Sequence, residues 1–116
     1  MTICHIISET DWKKAQDEGS YQPASLQLEG FIHFSTPQQV LATASRFYAH
    51  QSGLLLLFVE TGQLTSELCY ESAAGTAEQF PHLYGPLNLE AVVDVQPFPV
   101  NEAGTFLFPT AWQKEL

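Results

Sequence analysis

A chain of 116 residues, 45% hydrophobic and 12% aromatic, has enough apolar mass to bury one core, so it reads as a single domain over residues 1–116 that folds without disulfide or metal. Thirteen acids stand against four bases, Lys13, Lys14, Arg46 and Lys114, for a net charge of −9. That balance excludes non-specific binding to nucleic-acid backbones or anionic membranes, both of which need many cations; a small nucleotide-like ligand stays open, and the oligomeric state is not encoded in these features.

The opening residues lack a basic segment followed by a long apolar one, so no signal peptide is expected and the cytoplasm is the default compartment. Residues 3–7 (ICHII) are apolar and β-branched and read as a first strand. Ser8, with Asp11 three residues on, starts a helix over about 9–18 that Gly19 stops. Residues 20–30 are loop-like, with room for one helical turn. Residues 31–35 (FIHFS) read as a second strand. Thr36, Pro37 and Gln39 supply an N-cap, a first-turn proline and a capping-box glutamine, and Val40, Leu41, Ala44, Phe47 and Tyr48 form one apolar stripe, predicting a helix over 37–50.

Residues 54–60 (LLLLFVE) do not alternate, which predicts a strand buried on both faces. Further strands are expected over 67–71, 83–87 and 91–98, with a small polar loop over 72–79. The tail carries Gly104, Pro109 and Trp112 without a clear period. Helices early and strands late predict an α+β fold: a bent, mixed or mainly antiparallel sheet of about five or six strands with two main helices. Cys4 and Cys69 form no CxxC pair and sit in apolar runs, so both are expected to be buried, reduced thiols.

Period-two alternation sets the candidate chemistry. His33 shares a face with Ser35, His82 shares one with Tyr84, and His5 shares one with Ile3 and Ile7. If their strands adjoin, these side chains line one cleft. An imidazole in an apolar strand also needs a hydrogen-bond partner, so each histidine has a structural reading as a satisfied core residue. Glu71 follows Tyr70 on the opposite face and is a candidate base, or a solvated edge charge. Arg46, the only arginine, is a candidate clamp for a carboxylate or phosphate, or a surface residue paired with an acid. No GxSxG, P-loop, GxGxxG, HExxH or EF-hand loop is present.

The strings HIISETDWKKAQDEGSYQPASLQLEGFIHFSTPQQV, LLLLFVE and FPHLYGPLNLEAVV together resemble the small bacterial proteins of the domain of unknown function 952 family. That family is similar in predicted fold to ADP-ribosyltransferase-like domains, which bind NAD in a cleft of a split β-structure. The resemblance implies that His5 takes the first-strand position beside a ribose, Ser35 or His33 the second-strand position, and His82 and Tyr84 the third region. The segment FPHLYGPL departs from the transferase pattern because it holds no glutamate.

Three functions follow as expectations. The first is an enzyme-like domain that binds or processes NAD or an ADP-ribose derivative, with His5, His33, Ser35 and His82 catalytic. Tyr84, Arg46, Thr36 and Glu71 would then contact the substrate. The second is a non-catalytic binding module for a small nucleotide or metabolite, and the third a metal site built from His5, His33 and His82. NAD enters as a substrate, and no cofactor is required. In the first two readings phosphates would be met by Arg46, protonated histidines and the free amides after Thr36.

Overall fold

A computed structural model describes residues 1–72 and 76–116. Its strands are β1 (Thr2–Ser8), β2 (Ser20–Tyr21), β3 (Ile32–His33), β4 (Leu54–Glu60), β5 (Glu67–Ser72), β6 (Gln79–Tyr84), β7 (Leu87–Asn88) and β8 (Val92–Pro97). Its α-helices are α1 (Glu9–Glu18), α2 (Ala24–Leu28) and α3 (Val40–Phe47), and short 3-10 turns follow β4, β7 and β8. The class is α+β, as expected, and among the described residues every strand pairing is antiparallel. The expectation of one bent sheet is corrected. Among the described residues three small sheets form, in the orders β1-β4-β8, β2-β7 and β3-β6-β5. Two backbone hydrogen bonds between Cys4 and Ser35 join the first to the third.

The β1-β4-β8 sheet is covered on both faces, which explains the unbroken apolar run of β4. One face carries Ile3, Ile7, Leu57 and Val59 against Ala15, Tyr21, Ile32, Phe34 and Leu83. The other carries Cys4, Ile6, Leu56 and Phe58 against Val40 and Ala44 of α3 and against Phe98, Phe106 and Phe108. The tail that sequence reasoning left unplaced belongs to this second core. Trp112 stacks on Phe58 with ring centroids 4.4 Å apart and donates from Nε1 to Asp94 Oδ2 at 2.8 Å.

Helix α1 begins as its sequence predicts. Ser8 Oγ accepts the Asp11 backbone N–H at 3.0 Å, and Gly19 closes the helix with a left-handed φ of 83°. Helix α3 is shorter than the expected 37–50. Thr36 to Gln39 form a turn that runs into it, with the Thr36 carbonyl accepting the Val40 N–H at 3.1 Å. The Gln39 side chain accepts the Thr36 backbone N–H at 3.0 Å, the capping-box bond expected of that glutamine. At the other end Tyr48 caps the helix and His50 takes a left-handed φ of 70°, which a continuing helix does not allow. The strand expected over 83–87 is instead the end of β6 and the start of β7, parted by Gly85 and Pro86. The polar loop expected over 72–79 lies partly outside the described residues. Cys4 is buried as expected, whereas Cys69 is only half-buried. Among the described residues no helix is long and apolar enough to cross a membrane.

Candidate functional site

His5 lies at the centre of β1, on the face it shares with Ile3 and Ile7, and is 8% exposed. Its ring packs on Tyr21 and Phe34, with centroids 5.1 and 5.2 Å away. The carbonyl of His33 lies 2.6 Å from Nδ1 and the Tyr21 hydroxyl 2.8 Å from Nε2. A carbonyl only accepts, so Nδ1 carries the proton and Nε2 accepts from the Tyr21 O–H. Burial lowers the His5 pKa to about 4, so the ring is neutral at physiological pH. Burial, with the Asp11 charge adding to it, pushes the Tyr21 hydroxyl upward.

A groove of about 310 Å³ opens beside this pair. Its lining includes His5 and Ser8 of β1, Asp11 of α1, Tyr21 of β2, His33 of β3, and Tyr48 and Gln51 after α3. Two of the three expected histidines therefore share a concave surface. His33 reaches the mouth with its side chain half exposed and donates from Nε2 to Glu29 Oε2 at 2.9 Å.

The third histidine lies beyond it, on the outer face of the β3-β6-β5 sheet. His33 and His82 are direct cross-strand partners, with ring centroids 5.5 Å apart. Phe31 stacks on His82 at 4.0 Å and 17°. Glu71 Oε1 accepts two hydrogen bonds, from His82 Nδ1 at 2.8 Å and from the Tyr84 hydroxyl. Those bonds hold the Glu71 carboxyl below its ordinary range, and the carboxylate pushes the Tyr84 hydroxyl up to about 12. His82, only 9% exposed, is thereby oriented with Nδ1 protonated, and its Nε2 has no hydrogen-bond partner among the described residues. An imidazole aligned by a carboxylate can take or give a proton at that atom.

The expected single cleft is therefore divided. His5 and His33 line the groove, His82, Tyr84 and Glu71 meet on the outer face, and His33 borders both. Glu71 does lie opposite Tyr70, whose hydroxyl turns to Met1 Sδ at 3.4 Å. Ser35 joins neither group. Regular pairing of β3 ends at His33, so alternation stops there; Ser35 pairs with Cys4, and its Oγ donates to Thr43 Oγ1 at 3.3 Å. Thr36 is occupied in the turn before α3. Arg46 lies exposed on α3, its guanidinium 5.3 Å from the Phe47 ring, and does not line the groove. Among the described residues no group of three or more His, Cys, Asp or Glu is placed to hold a metal ion. Sequence reasoning missed Tyr21, Tyr48, Phe31 and Asp11. Only Phe31 left a periodic signal, lying two residues before His33.

The fold and site define a small antiparallel α+β protein with a groove lined by histidine and tyrosine. The chain belongs to the family of proteins of unknown function called DUF952, whose model matches residues 6–95. Protein CC0527 from Caulobacter crescentus is similar to it. Its crystal structure superposes with a TM-score of 0.83 at 31% identity, covering 92% of this chain and 94% of that one. The solution NMR structure of CC0527 gives 0.79 at 31% identity, with 97% and 95% covered. No curated protein matches the chain.

Proposed function

We propose that the groove beside His5 holds the ribose and base end of a small nucleotide-like ligand, with NAD and ADP-ribose derivatives as the first class to try and their phosphates lying outside the groove, whose lining carries no lysine or arginine. The observation that carries this reading is that His5 and His33, from different sheets, line one concave surface together with Tyr21 and Tyr48. Aromatic walls with a few placed polar groups are what a ribose and its base require. The resemblance to ADP-ribosyltransferase-like domains supports the choice of ligand. Because both His5 nitrogens are engaged, the group offered to a ribose hydroxyl is the remaining acceptor site of Tyr21 Oη. The expectation that a protonated His5 meets phosphate is dropped, since His5 stays neutral far below neutral pH.

Binding without turnover is the reading that the groove favours. The oriented base, His82, does not line it, and the one carboxylate that does, Asp11, sits at its rim. Calorimetry with NAD and with ADP-ribose, at about pH 6 and about pH 8, tests the proposal. Saturable heat with either ligand, lost in a Tyr21→Phe, Tyr48→Leu double variant that still folds, is the expected result. No heat with either ligand at both pH values overturns it.

A further inference from the structure

The charges around the groove point to a ligand class of their own. Its lining contains no lysine or arginine and one carboxylate, Asp11. Lys14 faces the neighbouring surface notch, where Asp11 and Glu18 accompany it. His33 is matched by Glu29 at 2.9 Å. Helix α1 turns its N-terminal end toward the groove, but Ser8 already satisfies the Asp11 amide there. Glu9 and Asp11 also place two carboxylates in that first turn, which offsets the positive end of the helix dipole. Helix α3 presents its opposite end, where Arg46 in the last turn offsets the negative pole of the dipole: Tyr48 is its C-cap, and Tyr48 and Gln51 both line the groove. Four rings, those of His5, Tyr21, His33 and Tyr48, contribute to the walls. The faces of tyrosine rings attract cations.

We infer that this groove is a binding site for a small organic cation, an onium or heteroaromatic head held between Tyr21 and Tyr48 with Asp11 as its counter-charge. This site rests on the groove's own charges and not on the nucleotide reading. An anion entering it would meet Asp11 and an overall charge of −9, with no lysine or arginine in the lining to receive it. A neutral ligand would fill the space but leave Asp11 unpaired. At about 310 Å³ the groove is near the lower end of the usual range for small-molecule sites.

The test is a charge series on one shape: benzyltrimethylammonium, benzyl alcohol and phenylacetate, titrated into the whole protein and followed by amide chemical shifts. The cation should bind about tenfold or more tightly than the alcohol, phenylacetate should not bind, and the shifts should centre on Tyr21 and Tyr48. Asp11→Asn, on an exposed helical turn that it does not cap, should weaken the cation about fivefold or more at low salt and leave the alcohol unchanged. Equal affinity across the series, tightest binding of phenylacetate, no cation binding at millimolar concentration, or shifts centred elsewhere would each overturn the inference. Cation binding without NAD binding would leave this site standing and the nucleotide proposal fallen.

Discussion

His5 shows how far a single residue is governed by its backbone. The ring is held by a main-chain carbonyl on one side and a phenol on the other, and burial keeps it neutral. Its pKa of about 4 lies below the ordinary 6.5, so between those values the unfolded chain holds a proton that the folded chain refuses. Stability should therefore fall as pH drops from about 6.5 to about 4, by on the order of 3 kcal/mol at roughly 1.4 kcal/mol per unit. Urea midpoints across that window check this. His5→Gln should lower stability at pH 7 yet flatten the slope; parallel falls in both proteins would remove His5 as the cause. The partnership of Glu71, His82 and Tyr84 was half legible, because alternation placed the latter two on one face. The diagonal reach of Glu71 from β5 was not, since it depends on a strand register that no local pattern records.

At the scale of elements, β1, α1, β4 and β8 were readable because periodicity and capping act within a few residues. The division into three sheets was not. It follows from β3 stopping at His33 and from the break at Gly85 and Pro86, which turn the chain between β6 and β7. Gly85 is needed there for space. A Cβ at that position would collide with the Ser66 side chain, its Cβ only 2.8 Å away. Ser66 Oγ is itself committed to the Pro86 carbonyl at 2.8 Å. Gly85→Ala should cost about 1–3 kcal/mol, and Ser66→Gly in the same chain should restore part of that loss. Denaturant titration of the two variants decides it. An unchanged midpoint for Gly85→Ala would mean that the turn yields freely. Tyr21 escaped sequence reasoning for a related reason: a two-residue strand has no period to detect.

For the whole molecule the dominant electrostatic fact is nine uncompensated negative charges on 116 residues. Self-repulsion of this kind destabilises the compact state and is screened by salt. Raising sodium chloride from about 20 mM to about 300 mM, which shortens the screening length to well under the protein's width, should raise the melting midpoint by roughly 3 °C. A flat or falling midpoint would show that local pairing outweighs the repulsion. The same salt should weaken the cation proposed for the groove, so stability and binding would move in opposite directions. The C-terminal tail matters at this scale too. Phe106, Phe108 and Trp112 complete the second face of the central sheet, which neither its composition nor its spacing announced.

The proton on His5 is placed by the carbonyl of His33, a group every residue type carries. Mutation at position 33 can replace the imidazole at the groove's mouth but leaves that carbonyl where it is. The acceptor nitrogen turned toward Tyr21 is thus inherited with the path of the main chain. Along a diverging lineage the wall of the groove is free to change its residues while this one polarity is passed on, and only loss of His5 itself erases it.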